Sequence, residues 1–153
     1  MTHSDAAVQL VAQFEGLRLV AYPDGNQIWT LGYGHTAGVK EGDTCTKEQA
    51  LQWLSEDLGI ADEAVSRLVT VSLTQNEFDA LVSLVFNIGQ GKFAKSTCLR
   101  LLNQNFKAAA IHSIATYEND EWHGWVYVAG EVSKGLVTRR QAEQKLFNTV
   151  EVV

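Results

Sequence analysis

EGLRLVAYPDGNQIWTLGYGHT, residues 15–36, is the stretch of the chain that decides its fold. Residues 19–22 and 28–31 are apolar, β-branched or aromatic, and the Pro-Asp-Gly-Asn sequence between them is typical of a tight turn. The stretch therefore predicts a β-hairpin, followed by glycines at positions 32 and 34 that allow close backbone approach. A hairpin of this size is not stable alone, so it must pack against other elements.

The segment before the hairpin predicts a short helix. Residues 5–16 carry apolar side chains at close to helical spacing, with Ser4 as the N-cap and Gly16 as the residue that ends the helix. Glu15 then lies in the last turn, where the negative end of the helix dipole disfavours a carboxylate. A residue placed against its local preference is a candidate for function.

The segment after the hairpin predicts a long helix. Thr46 and Gln49 form a capping box, and apolar residues recur at helical spacing as far as Leu68. The helix would have about 20 residues and a length of roughly 30 Å. Gly59 lies inside it and marks a bend.

Further helices are predicted in the second half of the chain. A capping box at Thr74 and Glu77 starts a strongly apolar helix that ends at residues 89–91, and shorter helices follow at residues 97–104 and 106–117. Residues 122–129 are aromatic and predicted to be irregular, and a third capping box, Thr138 with Gln141, starts the final helix. The fold class is therefore α+β, with a small N-terminal β lobe, a long helix and a helical C-terminal lobe.

Composition excludes several classes of protein. The net charge of −6 provides no basic surface for nucleic acid. No apolar run approaches the ~18–20 residues of a membrane-spanning helix, and no signal peptide is visible, so no membrane insertion is expected. Cys45 and Cys98 are interpreted as two free thiols, although a disulfide between them stays open. The histidines, at positions 3, 35, 112 and 123, lack metal-ligand spacing, so neither a metal nor a cofactor is expected.

Glu15, Asp24 and Thr30 are the candidate catalytic residues. Two carboxylates brought together by a helix-to-hairpin junction suit glycoside hydrolysis, in which one protonates the leaving oxygen while the other assists water or attacks the sugar. On its own, an acidic pair nine positions apart is more often two solvated side chains.

The surrounding sequence resembles the phage lysozymes, glycoside hydrolase family 24. The resemblance is carried by residues 15–19, by Ala21, Tyr22 and Asp24, and by residues 30–36; it continues through TQNEFDAL at 74–81, FNIG at 86–89, STCLR at 96–100 and GLVTRR at 135–140. It covers roughly residues 7–148. It implies a lysozyme-like single domain of residues 1–153, with lobes at about 13–58 and 70–153, residues 1–12 packed on the C-terminal lobe, and an active-site cleft between the lobes.

The resemblance also implies an activity: inverting hydrolysis of the β-1,4 bond between N-acetylmuramic acid and N-acetylglucosamine. Glu15 is then the general acid, Asp24 positions or deprotonates the attacking water, and Thr30 helps to hold that water. Arg139 is expected to pair with Glu15, with a solvated cation as the alternative. His35 is expected to be structural and paired with Asp57.

Other residues are expected to contact the substrate or to lie beside the cleft: Gly34, Asn87, Phe93, Ser96 and Thr97. For Asn87, the alternative is an ordinary polar residue at the end of a helix. Trp122 and Trp125 either stack on sugar rings or belong to the core, and their placement in the helical lobe favours the core.

The expected role is that of an endolysin that cuts peptidoglycan glycan strands to lyse the host. The chain is expected to be a monomer, held in the host cytoplasm until a separate pore-forming holin gives it access to the cell wall. The alternatives are a non-catalytic peptidoglycan-binding protein on the same fold, and a muramidase that serves phage entry or bacterial competition. A lone domain favours lysis. Many family members are basic, whereas this chain is acidic.

Overall fold

A computed structural model describes residues 1–150; residues 151–153, which complete the predicted domain, lie outside the described residues. Its helices are α1 (Asp5–Phe14), α2 (Lys47–Asp57), α3 (Gly59–Leu68), α4 (Gln75–Ile88), α5 (Gln90–Ala94), α6 (Thr97–Asn103), α7 (Lys107–His112) and α8 (Lys134–Phe147). Its strands are β1 (Arg18–Pro23), β2 (Trp29–Gly32), β3 (Ala115–Glu118), β4 (Glu121–Gly124), β5 (Tyr127–Val128) and β6 (Glu131–Val132). The strands form three separate antiparallel pairs, so the predicted α+β class is confirmed.

Helix α1 is capped as predicted but ends early. The Ser4 hydroxyl accepts a hydrogen bond from the Ala6 N–H, and the last helical residue is Phe14. Glu15 is the C-cap, with an extended backbone (φ −90°, ψ 130°) that turns the chain towards β1. The prediction that Glu15 lies inside the last turn was therefore wrong by one position, although its N–H still donates to the Val11 carbonyl.

The predicted N-terminal hairpin is present as β1 and β2. Tyr22 pairs with Thr30 and Pro23 with Trp29, and the register shifts closer to Arg18. Gly32 has a φ of +68°, and a Cβ added there would lie 3.0 Å from the Cβ of Ala50 in α2. A glycine is therefore required at the point where the hairpin packs on α2.

The predicted long helix is two consecutive helices. The capping box of Thr46 and Gln49 starts α2 as predicted. The chain leaves regular helix at Leu58, which separates α2 from α3. Leu58 keeps helical dihedral angles, and its N–H still reaches the Leu54 carbonyl at 2.9 Å. The predicted helix is thus interrupted one residue before Gly59 and is divided into two helices.

Helix α4 lies at the centre of the hydrophobic core. Its capping box at Thr74 and Glu77 and its end at Gly89, with a φ of +90°, are both as predicted. Every residue from Phe78 to Val85 is buried, and α4 packs against α1, α3, α5 and α8.

The C-terminal part contains hairpins that were not predicted. The helix expected at residues 106–117 ends at His112, and β3 begins at Ala115. Asn119 and Asp120 both have positive φ values, 53° and 62°, which is the geometry of a two-residue hairpin turn between β3 and β4. The region expected to be irregular, residues 122–129, therefore contributes to two hairpins.

The start of the final helix also differs. Helix α8 begins at Lys134, and its N-cap is Ser133, whose hydroxyl accepts from the Leu136 N–H. Thr138 lies one turn inside the helix and donates its hydroxyl to the Lys134 carbonyl. The predicted third capping box is therefore wrong, because an earlier serine already caps the helix.

Two further predictions concern single features. Cys45 and Cys98 are both free thiols, as predicted. Within residues 1–150, no helix is both long and apolar enough to cross a bilayer.

Candidate active site

Glu15 forms a salt bridge with Arg139, which lies near the other end of the chain. Its side chain is 31% exposed, and Oε1 accepts a hydrogen bond of 2.9 Å from Nη1 of Arg139. Arg139 lies in the second turn of α8 and is only 4% exposed. The expected contact between the two residues is thus present, and the alternative of a solvated Arg139 does not hold. Among the described residues, no hydrogen bond reaches Oε2 of Glu15.

Asp24 is held by its own turn. Its Oδ1 accepts hydrogen bonds from the N–H groups of Asn26 (2.8 Å) and Ile28 (2.9 Å), and its own N–H donates to the Ile28 carbonyl. Asp and Asn favour such turns because their side chains satisfy nearby backbone donors. No hydrogen bond to Oδ2 is found in the described part of the chain, so this oxygen is available to another group.

Thr30 lies in β2, opposite Tyr22 in β1. Directly opposite residues in an antiparallel pair share a face, so Tyr22 and Thr30 lie on the same face of the hairpin, and Asp24 follows at the start of the turn. The Thr30 hydroxyl donates to the Ile28 carbonyl at 2.9 Å. The hydroxyl proton is thereby used, and only the oxygen lone pairs of Thr30 remain to accept a hydrogen bond.

His35 ties the end of the hairpin to α2. Its Nδ1 lies 2.9 Å from Oδ2 of Asp57, and its ring stacks on Trp53 with the two centroids 4.7 Å apart. The His35 backbone also pairs with Leu31, the neighbour of Thr30 in β2. The expected contact between His35 and Asp57 is therefore present, and it anchors the strand that carries Thr30.

The residues expected to contact the substrate differ in exposure. Gly34, Asn87 and Thr97 are exposed. Phe93 has no exposed surface and belongs to the hydrophobic core, so in this structure its side chain cannot touch a sugar. The expectation for Phe93 is corrected because an aromatic side chain at this position fills the interior. Ser96 is largely buried, and its hydroxyl caps α6 by accepting from the Leu99 N–H.

These residues do not border one common cavity. Asn87 lines a cavity of about 420 Å³ together with Lys92 and Tyr127. Ser96 and Thr97 line another cavity of about 400 Å³. None of the three candidate catalytic residues lines either of them.

Two tryptophans of the C-terminal hairpin region were expected to belong to the core, and the structure agrees with this in part. Trp125 is half-buried and packs against the hydrophobic core. Trp122 is half-buried and tilts against Tyr117, with ring centroids 5.4 Å apart. Among residues 1–150, no group of three or more His, Cys, Asp or Glu side chains has a metal-binding arrangement.

Sequence reasoning missed Glu143 and Ser83. Glu143 is fully buried in α8, one turn after Arg139, and its Oε2 lies 3.6 Å from Nε of Arg139. Ser83 in α4 donates its hydroxyl to the same carboxylate oxygen. The only available signal was the spacing of Arg139 and Glu143, and a pair four apart on a helix is ordinarily a solvated surface pair.

Comparison with known proteins places the chain in a family. The family model described as phage lysozyme matches residues 12–143. The endolysin of Acyrthosiphon pisum secondary endosymbiont phage 1 is 41% identical over 148 residues, covering 95% of this chain and 97% of the relative. The endolysin of Salmonella phage P22 is 41% identical over 153 residues, covering 96% and 98%. The crystal structure of a P22 lysozyme mutant aligns with a TM-score of 0.84 at 38% identity, over 97% of this chain and 99% of that one. This chain, with a lysozyme fold and a helix-to-hairpin carboxylate pair, belongs to the phage lysozyme family.

Proposed function

We propose that this protein is an endolysin, a muramidase that hydrolyses the β-1,4 bond between N-acetylmuramic acid and N-acetylglucosamine in peptidoglycan. One observation carries the proposal. Each of the two carboxylates, Glu15 and Asp24, has one oxygen fixed by the protein and one oxygen free of protein partners among the described residues. A fixed orientation with one free oxygen is what acid–base catalysis on a bound sugar requires.

Glu15 acts as the general acid. Arg139 holds Oε1, so the proton for the leaving oxygen is carried on Oε2. A half-buried position limits access of water to this proton and leaves room for a glycosidic oxygen to approach. Departure of the sugar leaves a carboxylate that Arg139 stabilises by its charge.

Asp24 and Thr30 orient the attacking water. Oδ2 of Asp24 accepts a hydrogen bond from the water and takes that proton as the water attacks. Oγ1 of Thr30, whose own proton is donated to Ile28, accepts a second hydrogen bond from the same water. A water that donates both protons presents a lone pair to the anomeric carbon. Attack from the face opposite the leaving group inverts the configuration of that carbon.

We further propose the substrate contacts and the division into lobes. Gly34, Asn87 and Thr97 are exposed and remain candidates for contact with the glycan or its peptide; Ser96 supports this region by capping α6. Residues 13–58 and 70–153 form two lobes around the cleft, with residues 1–12 on the C-terminal lobe. The packing of α1 against α4 and α8 supports the last assignment.

The biological setting is part of the same proposal and rests on family membership. The protein acts on the cell wall of the host as a monomer, without nucleic acid as a partner and without insertion into a membrane. It is held in the host cytoplasm until a holin opens the inner membrane. Expression with and without a holin, followed by assay of the cytoplasmic and periplasmic fractions, tests this setting. Activity in the periplasm without a holin would contradict it.

The decisive experiment compares Glu15→Gln with Glu63→Gln, a matched loss of an exposed carboxylate on α3. Release of reducing ends from purified peptidoglycan should fall by a factor of about 10² or more in Glu15→Gln, because the proton donor is lost. It should be unchanged in Glu63→Gln. Full hydrolysis by a folded Glu15→Gln protein would overturn the assignment. Binding of peptidoglycan by wild type without hydrolysis would identify a non-catalytic glycan-binding protein instead.

A further inference from the structure

Helix α8 carries a buried carboxylate between two buried guanidinium groups. Glu143 and Arg140 have no exposed surface, and Arg139 is 4% exposed. Oε1 of Glu143 lies 2.6 Å from Nε of Arg140, and Oε2 accepts a hydrogen bond of 3.2 Å from Nη2 of Arg140. The same Oε2 lies 3.6 Å from Nε of Arg139 and accepts the Ser83 hydroxyl.

Charge explains why the carboxylate is needed. Arg139 and Arg140 are adjacent in sequence, and two buried like charges repel each other strongly at low local dielectric. Burial raises the pKa of Glu143 and lowers that of Arg140, and the attraction between the two groups opposes both shifts. Solvent cannot screen charges in this buried site, so Glu143 compensates the positive charge of one guanidinium group.

The same contacts determine which nitrogen of Arg139 can donate to Glu15. Nε of Arg139 faces Glu143, and Nη2 donates to the Ser83 carbonyl at 3.5 Å. Only Nη1 is directed at Glu15, and it forms a single hydrogen bond in place of the two-bond pair that arginine usually makes with a carboxylate. Held in this way, Arg139 occupies one oxygen of Glu15 and leaves the other free.

We propose that Glu143 is a positioning residue for the reaction. Anchored by Ser83 and Arg140, it fixes the guanidinium of Arg139 so that only Nη1 faces Glu15. Glu143 has no exposed surface and touches no substrate, so it acts solely through Arg139. The proposal deepens the proposed function and depends on Glu15 being the general acid.

The kinetic test is Glu143→Gln, assayed on soluble peptidoglycan strands. A released Arg139 misplaces Glu15, and kcat should fall about tenfold to a hundredfold while KM stays within about twofold. In an Arg139→Ala background, Glu143→Gln should cause no further loss of kcat, because Glu143 acts on Glu15 only through Arg139. Multiplicative losses in the double variant, or a wild-type kcat in Glu143→Gln, would overturn the proposal.

A matched control separates positioning from stability. Asp79→Asn removes another fully buried carboxylate, which lies one turn before Ser83 in α4 and accepts hydrogen bonds from Ser4 instead of from an arginine. This variant should lose stability and keep kcat. Ser83→Ala provides a second test in case Glu143→Gln does not fold. It removes one anchor of the carboxylate and should lower kcat several-fold; a wild-type kcat in Ser83→Ala would then refute the proposal.

An independent measurement does not use activity. In the wild type, Arg139 Nε is buried and lies 3.6 Å from Glu143 without a hydrogen bond. In ¹⁵N-labelled protein, its N–H should give a single sharp NMR signal, and this signal should broaden or shift in Glu143→Gln. An unchanged Arg139 signal in that variant would overturn the positioning role, whatever the outcome of the Glu15→Gln assay. Conversely, the wild-type protein could lack muramidase activity while Glu143→Gln still shows the predicted NMR change. That result would reject the proposed function but confirm that Glu143 holds Arg139.

Discussion

His3 and Asp62 join the start of the chain to α3. Nδ1 of His3 lies 2.8 Å from Oδ2 of Asp62, and the His3 backbone N–H donates to the other carboxylate oxygen at 3.2 Å. On the opposite side of the ring, Nε2 lies 2.9 Å from the Ser55 hydroxyl in α2. One imidazole thus bridges helices on both sides of Leu58, and the His3 and Asp62 side chains are about nine-tenths buried, 10% and 9% exposed.

Substitution of this histidine should destabilise the fold. His3→Ala removes the imidazole from Oδ2 of Asp62 and leaves only the backbone N–H on the other oxygen, and we expect the free energy of unfolding to fall by about 1–3 kcal/mol. Urea denaturation measures the change. His123→Ala is the matched control, because His123 is 49% exposed and its contact with Glu121 is solvated; it should change the value by less than about 0.5 kcal/mol. Equal effects of the two substitutions would contradict this view of His3.

The contact between His35 and Asp57 should be energetically coupled. A double-mutant cycle with His35→Asn and Asp57→Asn should give an interaction free energy of about 0.5–3 kcal/mol, because the ring is held by both the carboxylate and the Trp53 stack. Glu56→Gln in place of Asp57→Asn is the control. The helix turns Glu56 about 100° away, and no coupling to His35 is expected. Absence of coupling in the Asp57 cycle would show that the contact is incidental.

The two thiols should differ in reactivity. Burial raises the pKa of Cys98 to about 12, so only ~10⁻⁴ of it is thiolate at pH 8, whereas Cys45 is half-buried. A thiol reagent added to the native protein at pH 8 should label Cys45 alone. Labelling of Cys98 should require denaturant, and the rate for Cys45 should rise with pH because the thiolate is the nucleophile. Equal native labelling of both thiols would contradict the buried position of Cys98.

The stereochemistry of the product tests the role of Asp24. If Asp24 directs water to the face opposite the leaving group, the first reducing ends released from the β-linked substrate should be α anomers. Proton NMR during the first minutes, compared with the separately measured rate of mutarotation, distinguishes this outcome from retention. Early β product would identify Asp24 as a nucleophile and remove the water-orienting role of Thr30.

The sequence predicts the N-terminal half of the fold well because its signals are local. Strands β1 and β2 and the capping boxes at Thr46 and Thr74 depend on a few adjacent residues, and each is found as expected. The hairpin of β3 and β4 was missed because Asn119-Asp120 lacks the usual glycine, although both residues adopt the positive φ values that such a turn requires.

The candidate site was predicted less completely, since its parts lie far apart in sequence. The contact between Glu15 and Arg139 spans 124 positions and was expected only from the family resemblance. Phe93 was expected beside the cleft together with Ser96 and Thr97, and the sequence could not show that its side chain points into the core. Glu143 carries no local signal of its role, because Ser83, which donates to its carboxylate, lies 60 positions away in α4.

The break at Leu58 has a mechanical consequence. The hairpin is fastened to α2 by Gly32 against Ala50 and by His35 on Asp57, the residue directly before the break. Glu15, by contrast, is held by Arg139 from α8. Because the hairpin is fastened to α2, we expect a change of angle at Leu58 to move Asp24 together with α2, against the resistance of His3, whose ring contacts the helices on both sides of Leu58.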